Sequence, residues 1–281
     1  MKIVVTGAAG QLGSEIVERY ASRAEIVPVT GQTLDIGDAA AVEAFLSSHA
    51  PDVVINCAAY NNVDGAEDQA AEALRVNALA VRALAHGAAA AGAALIHYGT
   101  DFVFDGLGDR PYTEEDEPAP QSVYAQSKLL GEWFAADVPR HYVLRVESLF
   151  GGRARRSTVD RIAAAIRAGE PSRVFTDRTV TPSYVEDVAA ATWHLLDSAA
   201  APGLYHCVNT GVTTWYELAR EIARILQVEA RLVPVKVADV PMKARRPQYA
   251  ALSNARLARA GCSMPAWQDA LRRYLSGSGG S

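Results

Sequence analysis

The sequence predicts an α/β protein: a doubly wound parallel sheet of the Rossmann type, with a second, smaller α/β domain for substrate. Three observations predict it. Short β-branched runs alternate with helical patterns through about residue 150, as in chains that wind a parallel sheet under covering helices. The first run, residues 2–6, feeds Thr6-Gly7-Ala8-Ala9-Gly10-Gln11-Leu12-Gly13 and then a helical pattern. Strand, glycine turn and helix in that order form the phosphate end of a dinucleotide fold. Further on, Ser-Val-Tyr-Ala-Gln-Ser-Lys over 122–128 sets Tyr124 and Lys128 one turn apart on a single helix face.

The chain has 281 residues, nearly half of them hydrophobic, which is enough for one large domain or two unequal ones. No run reaches the ~18 apolar residues of a membrane span. Met1-Lys2-Ile3-Val4-Val5 enters a strand at once, which leaves no room for a signal peptide. A net charge of −5 argues against a nucleic-acid partner held by phosphate neutralisation. Cys57, Cys207 and Cys262 are odd in number and far apart, and fit neither a disulfide framework nor a zinc site. No metal ligand set is assigned. Cys57 and Cys207 lie in apolar, strand-like runs as buried thiols do, and a reducing cytoplasm is the expected location.

The glycines of the first turn allow a tight bend and close backbone approach, and a helix over 14–22 points its N-terminus at a pyrophosphate. Residues 25–29 form the second strand. Such a strand often ends in an acid that holds the adenosine ribose. Here Val29, Thr30 and Gly31 offer neither acid nor arginine. NAD against NADP stays open, with a lean to NADP because no carboxylate repels a 2′-phosphate. Asp35, in Leu34-Asp35-Ile36, either meets the adenine amino group or caps a helix over 38–49. Residues 53–59 read as a buried strand ending in the small Ala58 and Ala59, where the backbone either passes close to a cofactor or packs on a helix. An alanine-rich helix over 68–92 carries Asn77, which ties strands together by hydrogen bonds if buried.

Residues 94–101 form the next strand, and ligands of open α/β sheets gather at such carboxyl ends. Thr100 there either holds a substrate carbonyl or caps a turn. The loop over 105–120 carries Glu114, Glu115, Asp116 and Glu117, which read as a solvated face. After the Tyr124 helix and a strand over 141–146 the chain changes character. Gly151-Gly152-Arg153-Ala154-Arg155-Arg156 is either a diphosphate-binding loop, since guanidinium forks match phosphate, or an ordinary exposed basic loop. A helix starts at Thr181-Pro182-Ser183 and runs to 198, residues 204–208 form a strand, and a helix over 214–226 is capped by Thr213 or Thr214. Lys243, Arg245 and Arg246 form a second basic cluster, and a short helix over 267–275 ends the fold. Residues 1–150 are thus expected to form the dinucleotide-binding domain, with a return segment near 182–205, and 151–275 mainly the substrate domain. Residues 276–281 read as a flexible tail or expression scar outside the fold. The cleft between the lobes is the expected site.

A free phenol titrates near pH 10. A neighbouring ammonium favours the phenolate and lowers that value. Tyr124 beside Lys128 is thereby suited to give a proton to a carbonyl oxygen as hydride reaches the carbon. Taken alone, the pair reads more readily as a surface tyrosine and a solvated lysine, since Tyr-x-x-x-Lys is common by chance.

Thr6-Gly7-x-x-Gly10-x-x-Gly13, the Thr100 strand end and Tyr124-x-x-x-Lys128, in that order, resemble the extended short-chain dehydrogenase/reductases. A closer resemblance is to the dTDP-4-dehydrorhamnose reductase family. It is carried by Gly10-Gln11-Leu12-Gly13, by Ala58-Ala59-Tyr60-Asn61-Asn62-Val63-Asp64-Gly65-Ala66-Glu67 and by Thr100-Asp101-Phe102-Val103-Phe104-Asp105-Gly106. It continues through 118–132, Gly203-Leu204-Tyr205-His206 with Thr213-Thr214-Trp215, and Arg246-Pro247 with Leu252-Ser253, and covers the chain to about Tyr274. The resemblance implies hydride transfer from NADPH, with NADH open, to C4 of a dTDP-4-keto-6-deoxyhexose. It implies Tyr124 as proton donor, Lys128 as the group that lowers its pKa and binds the nicotinamide ribose, and Thr100 beside the carbonyl. Gly7, Gly10, Gln11, Leu12 and Gly13 would hold the pyrophosphate, and Asp35, Ile36, Ala58, Ala59, Tyr60 and Asn77 the rest of the cofactor. Val63, Asp64, Asp101, Ser148 and Arg246 join Thr100 and Tyr124 on the substrate side. The partner is then a nucleotide sugar, not a nucleic acid or membrane, with a homodimer open as the assembly.

Some positions depart from the family pattern. Gly99 stands where the family usually has serine. Arg145-Val146-Glu147-Ser148-Leu149-Phe150 stands for Arg-Thr-Ser-Trp-Val-Tyr, so Ser148 replaces a tryptophan that would pack on the sugar. Asp177-Arg178-Thr179-Val180-Thr181-Pro182-Ser183 stands for Asp-Gln-x-Gly-x-Pro-Thr. These changes point to an altered hexose or nucleotide rather than altered chemistry. Two other functions are a reductase of another carbonyl substrate and a non-catalytic, cofactor-binding regulatory subunit, as in the regulatory beta subunit of methionine adenosyltransferase, which the family resembles. Intact Thr100, Tyr124 and Lys128 favour the enzyme.

Overall fold

In the computed structural model, which describes residues 1–277, the chain opens with β1 (Lys2–Thr6), α1 (Gln11–Tyr20), β2 (Glu25–Val29) and α2 (Ala39–His49). The first helix starts at Gln11 rather than Ser14, because the glycine turn closes at once: the Gly10 amide donates to the Gly7 carbonyl at 2.8 Å. β3 (Val53–Asn56) is buried throughout and shorter than its apolar run. The Asn56 side chain accepts from the Ala58 amide (3.2 Å) and from the Thr6 hydroxyl (2.6 Å), which turns Cys57, Ala58 and Ala59 out of the sheet.

The alanine-rich stretch is a continuous helical run over 70–90 with a π-turn inside it. α3 (Val63–Ala66), capped by Asn62, precedes α4 (Ala70–Leu74), a π-helical turn at Arg75–Leu79, and α5 (Ala80–Ala90). π-turns of this kind occur mostly as local bulges and often at functional sites. Then come β4 (Ala94–Thr100), a 3₁₀ turn at Asp101–Val103, α6 (Val123–Ala136), β5 (His141–Val146) and β6 (Leu149–Phe150). The remainder is α7 (Thr158–Arg167), β7 (Ser172–Phe175), β8 (Thr179–Val180), β9 (Ser183–Tyr184), α8 (Val185–Asp197), β10 (Gly203–His206), β11 (Thr213–Thr214), α9 (Trp215–Leu226), β12 (Leu232–Val235), α10 (Ala255–Arg259) and α11 (Trp267–Gly277). The helix expected from Thr181 begins only at Val185, since Ser183 and Tyr184 pair with β6 instead. Thr214, not Thr213, caps α9. Ser276 and Gly277, read as tail, continue α11, and residues 278–281 lie outside the described residues.

Six strands form one parallel sheet in the order β10-β5-β4-β3-β1-β2. The chain winds one way from β1 to β2 and the other way from β3 onward, so its direction reverses between β1 and β3. A crevice opens outside the carboxyl ends of the strands at such a reversal. Successive residues of β1 face opposite sides, as strand geometry requires. Ile3 and Val5 join one core with Ile16, Tyr20, Val188 and Leu195, while Val4 joins the other with Val42, Leu46, Val81 and Leu84. Helices thus cover both faces. The buried Tyr20 hydroxyl donates to the Ala189 carbonyl at 2.5 Å and locks α1 to α8. Short ribbons pair β11 with β8, β12 with β7 and β6 with β9. The acidic loop is only partly solvated. Asp116 is held by Arg110 and Thr113, and Glu114 accepts the His206 amide at 2.8 Å. Among the described residues no helix is long and apolar enough to cross a membrane.

Candidate active site

The crevice between β1 and β3 is shaped by backbone. Gly7 has φ +65°, and a Cβ there would sit 2.6 Å from the Ala58 nitrogen; one on Gly13 would sit 2.2 Å from the Gly7 carbonyl oxygen. Only glycine meets the first condition, since side chains disfavour that region. α1 opens at Gly10 with no side-chain cap, so its first amides face the crevice with the positive end of the helix dipole. These features fit the pyrophosphate of a dinucleotide. Gln11 closes the crevice on one side, its amide donating to the Gly151 carbonyl at 3.0 Å.

One cavity at the outer end of the crevice is lined by Gly7, Gly10, Thr30, Asp35, Ile36 and Ala58, where the adenosine end would lie. Asp35 does not cap α2; Asp38 does, accepting the Ala41 amide at 3.0 Å. The Asp35 carboxylate instead takes the Gly37 amide (2.9 Å) and Arg75 (2.9 Å), and these hold it below the usual carboxylate range. The second cavity, about 410 Å³, shares Gly10, Ala58 and Ala59 with the first and runs inward to Val63, Thr100, Asp101, Tyr124, Lys128 and Ser148.

Ser122 caps α6, accepting the Ala125 amide at 3.3 Å, and sets the register that brings Tyr124 and Lys128 to the carboxyl end of β4. α6 comes close to the π-turn because Gly131 has no side chain: a Cβ there would lie 2.1 Å from the Asn77 carbonyl oxygen. The buried Asn77 amide does not tie strands together. It brackets Tyr60, accepting from its nitrogen at 2.8 Å and donating to its carbonyl at 3.1 Å, and also donates to the Ser127 hydroxyl at 3.0 Å. Ser127 in turn donates to the Tyr124 carbonyl at 2.7 Å. Asn77 and Tyr60 therefore shape the loop behind the cofactor cavity and do not line it, and Gly13 serves packing.

The Lys128 ammonium donates to the Tyr98 carbonyl at 2.6 Å. The Thr100 hydroxyl donates to Asp101 Oδ1 at 3.1 Å and accepts the Phe102 amide at 3.3 Å, and it lies within hydrogen-bonding reach of the Tyr124 phenol. Phe102 packs edge-on against Tyr124 with ring centres 5.5 Å apart. Burial pushes the Tyr124 phenol well up from its ordinary value, and the charge of Asp101 adds to the rise. Lys128 is not among the groups that set the Tyr124 shift, although the spacing suggests it; burial is the main cause. The phenol consequently stays protonated at neutral pH, the state a proton donor needs. Burial also pushes Lys128 down, to about 8.

Other expected substrate residues separate. Asp64 and Arg246 bind each other in a two-bonded pair (2.9 and 2.8 Å), and Asp64 also accepts the Ala244 amide, which holds its carboxyl down to about 2. Neither lines the inner cavity; Arg246 faces a neighbouring one with Arg173, Arg178 and Trp215. Ser148 does line the inner cavity, with φ +45°. The arginine loop divides: Arg153 pairs outward with Glu18, while Arg156 lines the cavity. Arg161 and Thr158 at the start of α7 join it. Sequence reading missed these two, although the Ser157–Asp160 capping box marked the helix start that aims them. It also missed Glu147, a fully buried carboxyl beneath Thr181.

The family model described as RmlD substrate binding domain matches residues 1–278. The dTDP-4-dehydrorhamnose reductase of Mycobacterium tuberculosis is 38% identical over 284 residues, covering 98% of this chain and 92% of that protein. A crystal structure of a dTDP-4-dehydrorhamnose reductase from Clostridium acetobutylicum superposes with a TM-score of 0.95 at 34% identity, covering 99% of both chains. One from Bacillus anthracis, solved in complex with NADP, superposes with a TM-score of 0.94 at 30% identity, covering 98% of this chain and 99% of that one.

Proposed function

We propose, for a chain that belongs to the dTDP-4-dehydrorhamnose reductase family, an NADPH-dependent nucleotide-sugar 4-ketoreductase that reduces a dTDP-4-keto-6-deoxyhexose. The observation that carries the reading is the buried Tyr124–Thr100 pair, with Lys128 one turn on, at the carboxyl end of β4 and opening into the same crevice as the Gly7–Gly13 turn. Bound NADPH supplies the hydride. Gly7, Gly10, Gln11, Leu12 and the N-terminus of α1 hold its pyrophosphate, with Ile36, Ala58 and Ala59 along the rest. Lys128 holds the nicotinamide ribose from the floor of the cavity. Thr100 orients the substrate carbonyl, and Tyr124 gives its phenolic proton to that oxygen, leaving an alcohol at C4. Val29, Thr30 and Gly31 leave room for a 2′-phosphate, and the Bacillus anthracis relative holds NADP. Three free cysteines among the described residues suit a reducing cytoplasm. A homodimer is the proposed assembly, and particle mass in solution tests it.

The test is oxidation of NADPH and NADH, followed by nicotinamide absorbance, with dTDP-4-keto-6-deoxyhexoses generated in place. NADPH consumption dependent on the keto-sugar, with an alcohol at C4 in the product, is the expected result. Tight NADPH binding without turnover of any keto-sugar would refute the enzyme and favour the regulatory subunit.

A further inference from the structure

Behind Thr100 lies a cluster of ionisable groups that hydride transfer does not use. Asp101 is buried in the wall of the inner cavity; its Oδ1 accepts from the Thr100 hydroxyl, and its Oδ2 has no partner. Glu147 is buried as deeply. Its Oε2 accepts from the Thr181 amide and hydroxyl, both at 2.5 Å, and its Oε1 has no partner. Arg178 faces both carboxyls, its guanidinium over the Phe102 ring and its Nε unpartnered. A buried carboxyl with one hydrogen bond and an unpartnered oxygen is costly as a carboxylate and inexpensive as an acid. Thr100, hydrogen-bonded to Asp101, also lies within reach of the Tyr124 phenol.

We propose that Asp101 returns a proton to Tyr124 through the Thr100 hydroxyl after each reduction, making this buried carboxyl the enzyme's internal proton source. The inference rests on the ketoreductase reading. In the reduction, hydride adds to the carbonyl carbon, the Tyr124 O–H bond breaks and the substrate O–H bond forms, leaving a phenolate. The Thr100 O–H proton then passes to the phenolate while the Asp101 O–H proton passes to Thr100. Asp101 is left as carboxylate beside the Arg178 cation and regains its proton from bulk water. Burial raises Asp101 to about 7 against the pull of Arg178 and the Thr100 hydrogen bond, so the carboxyl is poised to give and regain a proton near neutrality. Burial and the charge of Asp101 hold Glu147 protonated, so Arg178 is the main charge that Asp101 meets from the loop before β8. From α6, Tyr124 stays neutral, and neither Lys128 nor Glu132 is among the groups that shift Asp101.

The test is the pH profile of kcat for the parent enzyme, Asp101→Asn, and Arg178→Gln. A donor works only while protonated, so kcat of the parent falls as pH rises through neutrality, about tenfold per unit once the proton is lost. Asp101→Asn, which has no proton to give, is expected to lose tenfold or more in kcat at acidic pH, by order of magnitude, and to lose the neutral limb altogether. Arg178→Gln removes the cation that favours the carboxylate and moves the limb to higher pH. A neutral limb that persists in Asp101→Asn overturns the proposal and assigns the limb to Lys128. If Asp101→Asn does not fold, an Arg178→Gln limb unmoved or moved to lower pH overturns it equally. Absence of turnover in the parent enzyme overturns the ketoreductase reading and the relay with it, whereas turnover with superimposable profiles overturns the relay alone.

Discussion

Gly99→Ser restores the residue usual in the family, and this chain should not tolerate it. A Cβ at Gly99 would sit 2.1 Å from Glu132 Oε1, 3.0 Å from its Cδ and 3.1 Å from Arg145 Cγ. The first contact is more than 1 Å inside ordinary van der Waals distance, which begins near 3.4 Å. Glu132 has nowhere inexpensive to go. Its carboxylate takes Arg145 Nε at 3.2 and 3.1 Å and Nη2 at 2.8 Å, and both side chains are under 5% exposed. Moving the carboxylate off the new Cβ stretches at least the 3.2 Å bond beyond hydrogen-bonding range. Overpacking alone costs about 1–3 kcal/mol, and breaking a buried pair about 3–5 kcal/mol. Partial disruption puts the loss at about 2–4 kcal/mol, which lowers Tm by about 4–8 °C at ~2 °C per kcal/mol for a chain of this size. Equilibrium urea unfolding measures it. In a Glu132→Ala, Arg145→Met background, where the Glu132 contact and the ion pair are both absent, the same substitution should cost at most about 1 kcal/mol, the lower end of an overpacking cost. Equal stability of Gly99→Ser and parent, or an undiminished loss in the double background, would refute the packing argument. Thr100 follows directly in β4, so kcat should fall with stability.

Tyr124→Phe should cut kcat by roughly two to four decades, the range of a positioned acid, while NADPH binding measured by fluorescence stays nearly intact; unchanged kcat would remove Tyr124 from the chemistry. Lys128 binds its proton up to about 8 when folded and up to about 10.4 when unfolded, so unfolding takes up a proton between those values and stability rises with pH across that window, by about 3 kcal/mol in all. Lys128→Met should flatten that slope in urea unfolding compared with the parent, and parallel slopes would contradict the burial of the ammonium. Ser148→Trp fills part of a cavity of about 410 Å³ at a backbone with φ +45°, where a bulky side chain is strained. It should redistribute kcat/KM across a panel of keto-sugars, and identical values across the panel would put position 148 outside the sugar site.

Much of this protein was legible in the chain because the relevant signals are local. Glycines at 7, 10 and 13 after a β-branched strand specify a turn that only a few backbones can make. Tyr124 and Lys128 share a face through helix geometry alone. The alternation of strand and helix dictates a parallel sheet, since parallel strands need crossovers. Thr100 could be placed because it ends a strand. What local signals could not carry was the outcome of competition between distant groups. Asp64 and Arg246 lie far apart in sequence and look like substrate contacts, yet each neutralises the other. The i, i+4 spacing suggests a Tyr124 depressed by Lys128, but burial, a property of the folded chain only, raises it instead. The alanine-rich helix widens into a π-turn where Asn77 meets Tyr60 and Ser127, partners that come together only in three dimensions. Gly99 reads as a loss until Glu132 and Arg145 are seen to occupy the space beside it. By itself, then, the sequence determined the sheet, the glycine turn and the Tyr124–Lys128 face, since each follows from backbone geometry over a few residues. The tertiary structure alone decided which charges are buried, which are already paired, and where Asp101, Glu147 and Arg178 meet, because desolvation and long-range pairing exist only once the chain has closed on itself.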